Sequence, residues 1–209
     1  MNQGGTKDKG YIIDRFFERE MLMRRGVEIT DEMVRRAEIE AAKREPHISH
    51  HFDVEHMSDD QRNEIGFLGE FACCELFGIN WEGNIRDNYL TIDNGDIRLG
   101  EYLIDVKTET IPQPYFDKVF NRRIDDDKPY GRRLITKEQV PLLRKYDLVV
   151  FGAFVRGSYK KWYALGYVYV EDILQRYQVT DIAPFGTKYP EPAIAVRNSE
   201  LHRMDELSL

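Results

Sequence analysis

Asp96, Asp105 and Lys107 are the residues whose types and spacing point most directly to chemistry. They sit in two short runs, Asp96-Ile97-Arg98-Leu99 and Leu103-Ile104-Asp105-Val106-Lys107, separated by Gly100-Glu101-Tyr102. With Gly100-Glu101 at the centre of a tight hairpin, glycine takes the first central position, where φ must be positive. Leu99 then pairs with Tyr102, Arg98 with Leu103, Ile97 with Ile104 and Asp96 with Asp105. Cβ atoms across such a pair are roughly 5 Å apart, and Lys107 follows Asp105 on the same face. Ile97, Leu99, Tyr102, Ile104 and Val106 make the other face apolar, so the alternation supports this register from both sides. Two opposed carboxylates repel each other in a bare hairpin. A divalent cation with hard oxygen ligands reverses that sign. The plain alternative is a solvated polar face on an edge hairpin.

A helix must position the third carboxylate. Ser58 with Gln61 three residues on is a capping-box pattern, and the helix it opens carries Ile65, Phe67, Leu68, Phe71, Ala72, Leu76 and Phe77. Gly78 suits the position just past its end. The helix is apolar around most of its circumference, which predicts burial. Gly66, Gly69 and Cys73 form a small-residue stripe that would let it approach a sheet closely. Glu70 lies on this helix, and a buried carboxylate needs a partner.

Upstream, the spacing predicts a helix from Tyr11 to about Arg25 and a second from Asp31 to about Arg44, stopped before Pro46. The second has few apolar positions and is expected to cover the core from outside. His47, His50, His51 and His56 lack a matching second ligand cluster and read as loop residues rather than a zinc site. Downstream, Leu148–Val155 reads as a buried strand and Gly157-Ser158 as a turn, with Trp162 to Val170 as the returning strand. Asp172–Tyr177 follows as a short helix or turn, Ile194–Val196 as a last strand and Ser199–Leu207 as a terminal helix. Thr136 is expected to cap a helix carrying Val140, Leu142 and Leu143, kept short or kinked by Pro141.

The chain of 209 residues carries a net charge of −7, with 42% hydrophobic and 32% charged residues. That is enough apolar material for one core with an extension. An acidic chain binds nucleic acid only through a local basic patch. Residues 118–145 supply one, with nine cations against four anions. Arg122, Arg123, Lys128, Arg132, Arg133 and Lys137 are the nucleic-acid-binding candidates within it. No apolar run approaches the ~18 residues of a membrane span, and Met1–Gly5 has no signal-peptide pattern. The two cysteines, Cys73 and Cys74, are adjacent and poorly placed to bridge each other. A reduced, cytoplasmic protein is expected.

In order, the motifs are a helix with Gly-x-x-Gly-Glu-x-Ala (Gly66, Gly69, Glu70, Ala72), strands ending in Asp…Asp-x-Lys (Asp96, Asp105, Lys107), a helix and a strand. This resembles the PD-(D/E)XK nuclease superfamily over residues 58–170. Gly95, not proline, precedes Asp96. Gln139 lies near the place where some exonuclease-like members carry a glutamine, although its spacing to Tyr146 differs.

The resemblance implies an α/β fold: a restriction-endonuclease-like core, with a mixed central sheet flanked by helices and an N-terminal helical extension. The expected organisation is an extension over 1–57, a nuclease-like core over 58–175 and a C-terminal strand and helix over 176–209 completing the same domain. It implies a Mg²⁺-dependent deoxyribonuclease hydrolysing phosphodiester bonds, with Mn²⁺ as a substitute ion and no small-molecule cofactor. Glu70, Asp96, Asp105 and Lys107 would be catalytic. Asp96, Asp105, the carbonyl of Val106 and Glu70 would hold the metal, and Lys107 would act as an electrostatic stabiliser. DNA is the expected partner, without a membrane, and the N-terminal helices are candidates for a homodimer interface. The competing reading is an inert nucleic-acid-binding or oligomerisation module on the same fold.

Overall fold

The hairpin turn forms where the glycine and the alternation require it. In the computed structural model, which describes residues 26–44, 58–85 and 97–207, Gly100 takes a φ of +59°. It joins β2 (Ile97–Leu99) to β3 (Tyr102–Ile111). Leu99 faces Tyr102, Arg98 faces Leu103 and Ile97 faces Ile104, the expected register. The expected next pair joins Asp105 to Asp96, and Asp96 lies outside the described residues. So do Gly95, the helix expected over Tyr11–Arg25 and the histidines from His47 to His56.

Beyond the hairpin, β3 runs parallel to β5 (Leu148–Val155), and β5 pairs antiparallel with β6 (Ser158–Tyr169). Two-residue β1 (Val27–Glu28) adds to β6. The result is a five-stranded mixed sheet in the order β1-β6-β5-β3-β2. Asp147 ties its start together, because its carboxylate accepts from the Leu103 amide at 2.7 Å. Thus β5 matches the strand expected at 148–155. Its hairpin turns one residue earlier than expected, so β6 begins at Ser158 rather than Trp162.

Strand alternation separates two apolar cores. Ile104, Val106, Leu148, Val150 and Phe154 point to one face, where they pack with α2 (Asp59–Leu76) and α1 (Asp31–Arg44). Val149, Phe151, Ala153 and Ile111 point to the other. There they meet α3 (Gln113–Phe120), the one-turn α4 (Val140–Leu143), α5 (Val170–Arg176) and a second sheet. That second sheet is antiparallel, in the order β4-β8-β7, from β4 (Arg132–Thr136), β8 (Lys188–Arg197) and β7 (Thr180–Ile182). The molecule is a mixed α/β protein with a curled mixed sheet and a few helices. No helix among the described residues is long and apolar enough to cross a membrane.

The capping box opens α2 as the sequence requires. Ser58 Oγ accepts from the Gln61 amide at 3.3 Å, and Gln61 Oε1 accepts from the Ser58 amide at 3.1 Å. Gly78 follows the helix with φ +67°. The small-residue stripe divides in two. A Cβ on Gly69 would fall 1.8 Å from Thr108 Oγ1, whereas one on Gly66 meets nothing within 4 Å. Thr108 is itself held, accepting a 3.1 Å bond from Trp162 Nε1. Gly69→Ala is therefore expected to destabilise the fold by about 1–3 kcal/mol through overpacking. Gly66→Ala, in mid-helix, is expected to stabilise it by up to about 1 kcal/mol. Urea denaturation of both variants checks the pair, and equal signs would overturn the asymmetry.

Two local expectations give way to tertiary contacts. Thr136 ends β4 instead of capping a helix; α4 is preceded by Gln139, which makes no side-chain cap bond. Within the basic segment, residues 121–131 are loop and turn and 132–136 are strand. The terminal helix over 199–207 is replaced by two single 3₁₀ turns, Asn198–Glu200 and Met204–Glu206. Between them His202 exchanges backbone bonds of 2.8 and 3.1 Å with Tyr167. Pairing with the β6 edge satisfies those groups in an extended conformation, so a helix cannot run through them.

Candidate active site

Strand β3 carries a row of charged residues on one face. Asp105, Lys107 and Glu109 alternate with Ile104, Val106 and Thr108. The register opposite them is Val149, Phe151 and Ala153 on β5. The row therefore faces the core that holds the second sheet, and the intervening residues face α2. Asp105 is 3% exposed. Lys107 Nζ donates to its Oδ1 at 2.8 Å, and the lysine side chain keeps 21% of its surface. A carboxylate this deep is costly to hold charged without compensation, and the adjacent ammonium supplies part of it.

Glu70 is also buried, at 6% exposure, on α2. Its helix packs against the opposite side of β3, as the contact of Gly69 with Thr108 requires. Asp105 and Lys107 thus form one pair, while Glu70 comes from the helix across the sheet. Among the described residues no group of three or more His, Cys, Asp and Glu side chains is gathered as a metal site. The remaining carboxylate of the sequence motif, Asp96, is outside them.

Of the cations expected to meet nucleic acid, Arg123, Lys128 and Lys137 are exposed. Arg122 has its guanidinium committed to the C-terminal segment, donating to the carbonyls of Leu201 at 2.7 Å and His202 at 3.1 Å. Arg132 pairs with Asp127 at 2.8 Å. Arg133 corrects the sequence reading: it is 0% exposed and cannot touch a phosphate. It alternates with half-buried Arg132 and exposed Leu134 on β4, so it points inward. Inside, it donates to Glu109 and to the carbonyl of Tyr130. Burial pushes its guanidinium down to about 9, which leaves it a cation at neutral pH beside Glu109. Gln139 stands at the start of α4, where its carbonyl accepts from Leu142 and Leu143.

The sequence reading missed Glu109, although the period-two spacing from Asp105 and Lys107 was available to find it. It also missed Arg133 as an interior residue, because a run of Arg and Lys gives no sign that one member turns inward. No protein-family model matches this chain, and no curated protein or solved structure matches it either.

Proposed function

We propose that this chain is a metal-dependent nuclease of the PD-(D/E)XK type that hydrolyses phosphodiester bonds in DNA. The observation that carries the reading is the Asp105–Lys107 pair: a buried carboxylate and an ammonium 2.8 Å apart, two residues apart on one strand of a mixed sheet. The flanking hairpin has the register that continues to Asp96 in the sequence.

The donor set fits a hard cation. Asp105 and Asp96 offer carboxylates and Val106 a main-chain carbonyl, with neither thiolate nor imidazole, which suits Mg²⁺ and accepts Mn²⁺. Once bound, the ion supplies Lewis acidity toward the phosphate and toward water. Lys107 contributes positive charge where negative charge grows at phosphorus. Asp105 orients that ammonium through their direct contact. Arg123, Lys128 and Lys137 supply exposed cations for sequence-independent backbone contacts, whose strength falls with salt.

The test is incubation of supercoiled plasmid and linear single- and double-stranded DNA with the protein in Mg²⁺, Mn²⁺ or EDTA. Metal-dependent cleavage is expected, and nicks versus end-digestion identify the mode. A folded protein that cleaves nothing under any metal overturns the reading. A specific observation favours the inert-module alternative: Asp105 pairs with Lys107 and Glu109 with Arg133 along one strand face. Such a ladder also serves as structure alone. In that case the protein would bind DNA or itself without cutting.

A further inference from the structure

Away from the Asp105–Lys107 pair, the outer side of the small sheet holds an arginine-lined cleft of about 370 Å³. Arg132 on β4 and Arg197 on β8 stand directly opposite each other in the antiparallel register. Like charges placed so are unfavourable in themselves. Arg176, in the last turn of α5, lines the same cleft with Tyr177, Thr180 and Glu200.

Glu200 is the carboxylate among these lining residues, and it is shared. It lies 2.9 Å from Arg176 Nη2 and 3.2 Å from Arg197 Nη1, and it also accepts from the Tyr177 hydroxyl. Arg132 has its own partner, Asp127. Three arginines therefore line a cleft in which Glu200 is the one lining carboxylate, with Arg132 held at Asp127 and at the Asp126 carbonyl. The side chains of Arg176 and Arg197 are 54% and 51% exposed, so both reach solvent. Each guanidinium has five N–H donors in a planar fork, and Glu200 engages one nitrogen of each.

We infer that this cleft binds a phosphate group, carried by a ligand of nucleotide size. A singly or doubly charged tetrahedral oxyanion would balance the excess positive charge of Arg176 and Arg197 over the single carboxylate of Glu200. It also matches the bidentate geometry that guanidinium forks favour. The volume exceeds what a bare oxyanion fills and lies at the small end of the roughly 300–1,000 Å³ range of small-molecule sites. Arg132 and Arg197 alternate with inward-facing Arg133 and Val196, so the cleft opens on the side of β4-β8-β7 turned away from β3. It is separate from the proposed catalytic pair, and the inference stands whether or not the chain cuts DNA.

The test is titration of the full chain, without divalent metal and at physiological ionic strength, with inorganic phosphate, AMP and a short single-stranded oligonucleotide. Binding is followed by calorimetry and by the arginine Nε–Hε NMR signals. With phosphate and AMP, saturable shifts confined to Arg132, Arg176 and Arg197 are expected, with AMP or the oligonucleotide binding more tightly than free phosphate. Arg176→Ala and Arg197→Ala should each weaken binding at least about tenfold, and Arg176→Lys should do less damage. Lys107→Ala should leave the phosphate and AMP titrations unchanged, which separates this site from the nuclease reading. Phosphate binding as tightly as AMP and the oligonucleotide would overturn the nucleotide-sized ligand. No saturable binding, or binding indifferent to the Arg176 and Arg197 substitutions in folded variants, would overturn the site itself.

Discussion

Lys107→Ala is expected to lower metal-dependent DNA cleavage by about 10²–10³-fold, the loss typical of removing one charge-stabilising group from an active site. The ammonium sits 2.8 Å from Asp105 Oδ1 and retains partial access to solvent, so a substrate phosphate has a route to it. Asp105→Asn keeps the shape of the site and removes the charge a cation needs. It is expected to cost about 10³-fold or more in cleavage, several kcal/mol of transition-state stabilisation. Asp105→Asn should also weaken Mn²⁺ binding, measured by calorimetry, whereas Lys107→Ala should leave it largely intact. That contrast separates ligand from stabiliser. If both variants cleave like the parent, the pair is structural and the nuclease reading fails. Circular dichroism and urea denaturation must accompany the assay, because Asp105 is buried and removal of Lys107 also has a folding cost.

Arg133→Ala is expected to destabilise the protein by about 2–4 kcal/mol, somewhat below the usual range for breaking a buried ion pair. The lower figure reflects Glu109, which is 34% exposed and so partly rehydrated when its partner is lost. The Tyr130 carbonyl loses its guanidinium donor at the same time. For a chain of this size each kcal/mol moves the melting temperature by roughly 2–4 °C, so the drop is readily seen by calorimetry. Arg133→Met with Glu109→Gln should recover much of the loss, since a packed apolar replacement of a buried pair is often close to neutral. An Arg133→Ala protein with unchanged stability would show that the guanidinium is not structural. A change in the salt dependence of DNA binding would restore it to the nucleic-acid surface.

The nearest-neighbour features were legible in the residues. Ser58 and Gln61 specify a helix start because the bonds they make lie within one turn. Gly100 specifies the β2–β3 turn because it alone among nearby residues takes positive φ at little cost. Once that turn is set, period-two alternation leaves one register, and Asp105 and Lys107 must share a face. Leu148–Val155 reads as a buried strand because a short uncharged run rich in valine and phenylalanine, closed by a Gly157 turn, suits a strand covered on both faces.

What the residues could not announce depends on which surface arrives opposite. The second sheet assembles from β4, β7 and β8, drawn from two distant stretches; β4 and β7 are too short to stand out by pattern, and only Ile194–Val196 of the longer β8 reads as strand. Ser199–Leu207 has helix-compatible composition, yet Tyr167 offers an unpaired sheet edge that takes its backbone bonds first. Arg133 looks like its neighbours Arg132 and Arg123; only the stacking of β4 over β3 turns it inward onto Glu109. The same stacking leaves Arg132 and Arg197 on the outside facing Arg176. Local bonds, spaced within a turn or a hairpin, determined the helix start, the hairpin and the Asp105–Lys107 pair. The tertiary structure decided the placement of Arg133, the arginine cleft and the side of the sheet from which Glu70 approaches. Those positions follow from long-range packing, whose partners are not adjacent in the chain.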